Sequence, residues 1–282
     1  MDDLLWRHLC DLPAFRALLR AVEARFYAHL PLDRPVLDLG CGDGHFASLA
    51  FDLNLNGLLD AGFDPWWGPL TEAQRRGTYR VLVQAEGARM PYPDGYFATV
   101  VSNSVLEHIL HVQPVLRETS RVLRPGGRFY FCVPGPDFVP FLSIGRALDR
   151  LGLRQLGDLY RRSFNRVSRH YHCDDAGVWN RRLEAVGLRV MRWWPYFSRR
   201  ATAALEWGHY LGLPSLMCKK LTGRWIVWPS RANLWLTERL VRPFFCEESP
   251  SPPASAAEGG SGACLFFVAR KEEDVRPGDE VG

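Results

Sequence analysis

Between residues 38 and 44 the chain reads Asp38-Leu39-Gly40-Cys41-Gly42-Asp43-Gly44, an acid followed by glycine at every second position. Glycine at that density lets backbone N–H groups approach a bound ligand that any Cβ would obstruct. The chemistry served is the holding of a nucleotide or a nucleoside-like cofactor. Spacing narrows the choice: the dinucleotide fingerprint G-x-G-x-x-G needs glycine where this chain has His45, which argues against a nicotinamide-dependent oxidoreductase. Farther along, His170-Tyr171-His172-Cys173-Asp174 places two histidines at alternate positions. No second cluster completes four ligands, so no metal is expected, and the segment reads as helix-entry structure or as lining of an acceptor pocket.

These residues need elements to hold them. Residues 3–30 recur in leucine, valine and phenylalanine at three- and four-residue intervals, which predicts a helical cap divided by Pro13. Pro35–Leu39 is a short apolar run that closes on glycine and feeds a helix over His45–Asp52. Leu58–Phe63, Tyr79–Gln84, Phe97–Ser102 and Arg128–Val133 read as further strands, with helices over Leu70–Arg76 and Val112–Leu123, the latter stopped by Pro125-Gly126-Gly127. Residues 135–172 start proline-rich and continue as basic helical segments. Asp174 is placed to cap a helix running to Val186, with Gly187 as its stop; Leu188–Phe197 and Cys264–Ala269 supply the last strands. Strands alternating with helices predict an α/β, Rossmann-like fold with a seven-stranded, mostly parallel sheet covered on both faces. The expected organisation is an N-terminal helical cap (1–34), a core (35–197), a helical insertion or lid (198–246), a flexible linker (247–262), a final core strand (263–270) and a disordered tail (271–282).

Val36-Leu37-Asp38-Leu39-Gly40-Cys41-Gly42-Asp43-Gly44 resembles motif I of the class I S-adenosylmethionine-dependent methyltransferases, in particular the type 11 group that includes quinone-biosynthesis and other small-molecule or lipid methyltransferases. The resemblance implies that Asp38, Gly40, Cys41 and Gly42 hold the methionine half of S-adenosyl-L-methionine. It places Asp64, followed by Pro65, on the ribose hydroxyls, a task that suits a carboxylate because it accepts two hydrogen bonds at once. Gln84-Ala85-Glu86-Gly87-Ala88-Arg89-Met90 resembles the segment that meets adenine, through Glu86, Gly87 and Ala88. Val101–Ile109, with Asn103 and Ser104, resembles the stretch beside the methionine moiety and the transferable methyl, and Arg121–Phe129 matches a structural helix-turn-strand signature. Methyl transfer is an in-line displacement that alignment alone accelerates, and a base is needed only if the acceptor must lose a proton. His108 is the candidate for that role, with His111 one turn on.

Two departures from the family pattern stand out: Ala98 follows Phe97 where Asp is common, and Glu86 replaces the commoner Asp. Several residues keep a second reading. Asp38 either touches cofactor or receives hydrogen bonds from the glycine loop; Asp64 either binds ribose or caps the next helix; His108 either serves the acceptor or is structural. The Asn/Asp-Pro-Pro-Tyr/Phe motif used on planar amino groups is absent, the stretch reading Ser102-Asn103-Ser104-Val105, which tilts the acceptor toward oxygen, carbon or aliphatic nitrogen.

Composition sets the outer bounds. The 282 residues are 47% apolar and 23% charged, ordinary for a folded protein. Seven cysteines without a CxxC pair read as reduced thiols of a cytoplasmic protein. The N-terminus lacks the basic start and apolar stretch of a secretion signal, and no run of 18 apolar residues occurs. Net charge is +4, yet residues 199–246 carry +6 by themselves, with Trp207, Tyr210, Trp225, Trp228 and Trp235 interleaved. Such a mixture suits either a lid over the acceptor pocket or peripheral contact with a membrane surface. It does not resemble an RNA-binding module, so nucleic acid is not expected as a partner. The rival readings are a methyltransferase-like cofactor-binding scaffold without turnover and, less favoured, an RNA methyltransferase.

Overall fold

The computed structural model describes residues 3–51, 57–249 and 260–273. Helices α1 (Leu4–Leu9) and α2 (Ala14–Tyr27) precede the sheet, separated at Pro13 as the periodicity predicts. The Asp3 side chain caps α1 by accepting from the Trp6 amide, and α2 buries Ala17, Leu18, Ala21, Val22 and Phe26, one face at helical spacing.

The core then alternates: β1 (Val36–Leu39), α3 (His45–Ala50), β2 (Leu59–Asp64), α4 (Trp67–Arg76), β3 (Tyr79–Gln84), β4 (Phe97–Asn103), a 3₁₀ turn at Leu106–His108, α5 (Val112–Val122) and β5 (Leu123–Pro134). Next come α6 (Ser143–Arg150), α7 (Arg154–Ser168), α8 (Ala176–Glu184) and β6 (Leu188–Tyr196). The insertion forms α9 (Arg199–Leu211), α10 (Leu213–Thr222) and α11 (Arg231–Glu247), and β7 (Cys264–Lys271) closes the sheet. The strand order is β3-β2-β1-β4-β5-β7-β6, with β1 to β5 parallel and β7 antiparallel to both neighbours. This is the seven-stranded, mostly parallel Rossmann-like sheet expected from the sequence.

Alternation along β5 and β7 builds two cores. Phe129, Phe131 and Phe267 stack on one face, with centroids 4.8 and 4.7 Å apart, against the fully buried Trp179 of α8. Tyr130, Cys132 and Phe266 face the other side, where Phe26 of α2 and Trp194 of β6 pack.

Three boundaries differ from expectation. β5 begins at Leu123, because Leu123 already pairs with Phe97 before the register shifts across Pro125-Gly126-Gly127 to put Arg128 opposite Thr99. The cap of α8 is Asp175, whose side chain accepts from the Val178 amide, while Asp174 pairs with Arg182; two adjacent acids offered the same signal. β7 runs to Lys271, into the segment expected as tail. The end of the predicted His45–Asp52 helix, most of the 247–262 linker and the tail after residue 273 lie outside the described residues. Among the described residues no helix is long and apolar enough to cross a membrane.

Candidate active site

β1 and β4 are neighbours at the point where the strand order reverses, the place where open α/β sheets bind ligands beyond their strand ends. The glycine loop leaves β1 there. Gly40 and Gly42 have φ of +73° and +54°, a region that L side chains rarely adopt. Their surroundings differ. A Cβ on Gly40 would come within 2.5 Å of Val105 Cγ1, so the loop and the turn after β4 are in close contact; a Cβ on Gly42 would meet nothing within 4 Å, so that face is open to a ligand.

The loop is fastened to β2. The N–H groups of Gly40 and Cys41 both donate to the Phe63 carbonyl at 3.0 Å, and the Gly42 N–H donates to Asp64 Oδ2 at 3.1 Å. Asp64 Oδ1 accepts from the Trp66 amide at 2.9 Å, while the N-cap residue of α4 is Trp66 itself. Each carboxylate oxygen keeps a further lone-pair direction for a ligand. Burial raises the Asp64 carboxyl above its usual range, with nearby Asp43 and Glu86 adding to the effect and the two amide hydrogen bonds opposing it.

Asp38 is buried below the loop and accepts from the Tyr79 hydroxyl at 2.6 Å. The loop amides of Gly40 and Cys41, which one reading assigned to Asp38, go to Phe63 instead. Burial raises the Asp38 carboxyl to about 7, and Asp64 adds to the rise while the Tyr79 hydrogen bond opposes it. Cys41 is a small buried side chain beside Gly62, and burial raises its thiol.

Glu86 and Ala88 are exposed, and Gly87 is half-buried, packing toward Val115. The Ala85 amide donates to the Asp64 carbonyl, and Pro65 is tied in by Gln84 Nε2 on its carbonyl at 2.9 Å. Arg121 donates to the carbonyls of Met90 and Tyr92, and Glu118 accepts from the Met90 amide at 2.8 Å. The pair anchors the segment just past Glu86–Ala88.

Asn103 and Ser104 lie next to the loop, but their side chains turn toward the N-terminal cap. Glu23 of α2, fully buried, accepts from Asn103 Nδ2 at 2.7 Å, Ser104 Oγ at 3.2 Å, Tyr196 OH at 2.8 Å and Arg20 at 2.7 Å. Ser104 has φ +52°, a strained backbone that this network holds in place.

His108 follows on the 3₁₀ turn. Its Nδ1 is 3.1 Å from the Arg169 carbonyl, and its ring centroid is 5.4 Å from that of His170. His111 is instead the N-cap residue of α5. The two alternate histidines diverge: His170 faces His108 and Phe138, while His172 Nε2 meets the Ile109 carbonyl at 2.9 Å. Phe15, Phe138, Phe164 and His209 continue an aromatic wall from this turn to α9. Glu206 of α9 binds the Ser143 and Ile144 amides and the Tyr160 hydroxyl, fastening the insertion to α6 and α7. A cleft of about 540 Å³ opens at the loop's rim, bounded by Asp43, Arg75, Arg76, Lys219, Arg224 and Trp225.

The predicted residues at 38–42, 64–65, 86–88 and 103–108 therefore converge on one end of the sheet. Sequence reasoning missed Glu23, Arg20, Tyr79 and Tyr196. The sole available signal was a charged pair, Arg20 and Glu23, on the face of α2 that otherwise carries apolar residues.

Residues 37–131 match the family model described as a methyltransferase domain. A malonyl-[acyl-carrier protein] O-methyltransferase of Legionella pneumophila is 28% identical over 138 residues, 46% of this chain and 48% of the relative. A demethylmenaquinone methyltransferase of Beutenbergia cavernae is 33% identical over 143 residues, 50% of this chain and 52% of the relative. The chain thus spans about half the length of the curated relatives it matches. A SAM-dependent methyltransferase structure from Thermotoga maritima superposes with a TM-score of 0.52 at 15% identity, covering 92% of this chain and 91% of that one; it bears on the fold alone.

Proposed function

The chain carries a class I S-adenosylmethionine-dependent methyltransferase domain, and we propose that it transfers a methyl group from that cofactor to a small-molecule or lipid-like acceptor. The observation that carries this reading is the open face of Gly42, with Asp64 hydrogen-bonded to that residue's amide 3.1 Å away. An uncovered glycine beside a carboxylate fits the donor's methionine and ribose parts. Gly40, Cys41 and Gly42, above Asp38, would hold the methionine half; Asp64 and Pro65 the ribose; Glu86, Gly87 and Ala88 the adenine; Asn103 and Ser104 line the methyl end.

When bound, the cofactor supplies an electrophilic methyl whose bond to sulfur breaks, the electron pair staying with sulfur, as an acceptor lone pair forms the new bond. The chain's own work is positioning. The Glu23 network fixes the turn after β4, the aromatic wall of Phe15, Phe138, Phe164 and His209 excludes water, and His108 accepts a proton if the acceptor must release one. Incubation with methyl-labelled cofactor and calorimetry with S-adenosylhomocysteine test the reading: it expects one-to-one binding and label transfer, and absence of binding contradicts it.

The insertion favours an amphiphilic acceptor. Trp207, Leu211, Met217, Leu221, Trp228 and Trp235 are 51–82% exposed. Lys219, Lys220, Arg224 and Arg239 lie in the same segment. This pattern supports a lid that also touches an anionic membrane surface. Co-sedimentation with anionic vesicles at low salt is expected and should weaken at high salt; no binding at low salt contradicts the membrane contact.

A further inference from the structure

The turn after β4 holds polar atoms that the cofactor reading does not use. Glu107 is 2% exposed, and its Oε2 has no hydrogen-bond partner among the described residues. His170 Nδ1 is buried and likewise unpartnered. His108 Nδ1 lies 3.1 Å from the Arg169 carbonyl. A carbonyl only accepts, so that nitrogen carries the hydrogen and Nε2 keeps its lone pair. A ring nitrogen of His108, a ring nitrogen of His170 and a carboxylate oxygen of Glu107 lie within 4.8 Å of one another, and His108 Nε2 is 3.8 Å from Glu107 Oε1. The Tyr171 amide donates to the Glu107 carbonyl at 2.8 Å, which holds the His170 segment against the turn. Val105, two residues before Glu107, touches Gly40, so the cluster adjoins the cofactor loop. Buried polar atoms are ordinarily paired, and a cluster of three such side chains, two of them with an unpaired buried atom, points to a ligand.

We propose that Glu107, His108 and His170 form the proton-accepting end of the acceptor site, and that the acceptor is a neutral hydroxyl compound methylated on oxygen. The inference rests on the methyltransferase reading and specifies its substrate class. A hydroxyl donates one hydrogen bond and accepts others, and the cluster offers a lone pair at His108 Nε2 alongside two groups that donate when protonated. A carboxylate acceptor needs no base. An ammonium, like a metal ion, meets the positive field of Arg16 and Arg20 on α2 and of Arg169.

The groups facing His108 are Glu107, Arg20, Arg16, Arg169 and His170, with His209 of α9 facing His170. Burial, then the arginines, lowers the His108 imidazole; burial, then His108 and His209, lowers His170 to about 4. Both rings are therefore neutral near pH 7 and able to accept. As the acceptor oxygen gains its bond to carbon, its hydrogen leaves as a proton to His108 Nε2. The ring becomes an imidazolium, so the positive charge lost at sulfur reappears there. Burial raises the Glu107 carboxyl to about 8, so near pH 7 it faces His108 mostly as the neutral acid, a hydrogen-bond donor toward the acceptor oxygen.

The test uses the full chain, methyl-labelled cofactor and, as probe, an organic extract of the cells that encode the protein. The expected product keeps its label in mild alkali and releases it as methyl iodide on heating in hydriodic acid, the behaviour of a methyl ether. Label lost as methanol in alkali, or retained through hydriodic acid, marks an ester, an N-methyl or a C-methyl product and overturns the proposal. His170→Gln should lower kcat by about 100-fold and move the pH–rate profile, with homocysteine-product affinity unchanged. A second arm needs no turnover: nitrogen NMR of the histidines in protein saturated with S-adenosylhomocysteine. His108 Nε2 should be unprotonated at pH 7 and take up its proton only in more acid solution. A His108 Nε2 that is protonated at pH 7, or zinc coordination by all three residues, overturns the proposal. Failure to bind S-adenosylhomocysteine sinks the methyltransferase reading itself, a separable outcome.

Discussion

Glu23 of the N-terminal helix accepts a 2.7 Å hydrogen bond from Asn103 at the end of β4, joining residues eighty positions apart inside the core. The cap is thereby part of the site, because Asn103, Ser104, Tyr196 and Arg20 share this one carboxylate. Glu23→Ala would strand the Arg20 charge and three neutral donors. Breaking a buried pair from one side costs about 3–5 kcal/mol. Urea unfolding should show that loss, with Glu23→Gln closer to wild type; equal stability of all three proteins would contradict the network.

The two loop glycines should separate folding from binding. Gly40→Ala drives a methyl group into Val105 and should destabilise the fold. Gly42→Ala meets no protein atom, so its folding cost is the left-handed backbone alone, about 1–2 kcal/mol, while its methyl group enters the ligand's space. Thermal melts and cofactor titrations on both variants check this. Full cofactor affinity in Gly42→Ala would show that the open face is not the binding face.

His8 and Asp11 should make stability depend on pH. His8 Nδ1 is 3.0 Å from His45 Nε2, and His45 contacts Asp11 at 3.2 Å. Burial first, and His45 second, hold the fully buried His8 imidazole well below its ordinary value. Below about pH 6.5 the unfolded chain gains a proton that the folded one refuses, so stability falls as pH falls, by up to about 1.4 kcal/mol per pH unit. Asp11, lowered to about 2 chiefly by its bond to His45, adds a second loss between about pH 4 and 2. Urea melts of wild type and His8→Leu at pH 7 and 5 should differ in slope; parallel losses would contradict the assignment.

The local parts of the site were legible in the chain, and the long-range parts were not. Asp38 to Gly44, Asp64 and Glu86 announce themselves because each lies at or just past the end of a strand, and strand ends are visible as breaks in apolar runs. His45 was read as a departure from the dinucleotide pattern; the fold adds that it docks the cap through His8. Glu23 gave no such sign, since an acid on an apolar helix face looks like an irregularity until Asn103 and Tyr196 reach it from distant strands. His170 was visible with His172 as alternating histidines, but its partnership with His108 appears only when α7 ends beside that residue.

The central claim is that the loop at 38–44, with Asp64, is built for S-adenosylmethionine. Calorimetric titration of the wild-type chain and Asp64→Ala with S-adenosylhomocysteine and with NAD tests it most directly. The account predicts one-to-one binding of S-adenosylhomocysteine, no heat with NAD, and a loss in the variant of roughly 1.5–3 kcal/mol, the worth of hydrogen bonds to a charged group. Binding of NAD in its place, or unchanged affinity in Asp64→Ala, would contradict it.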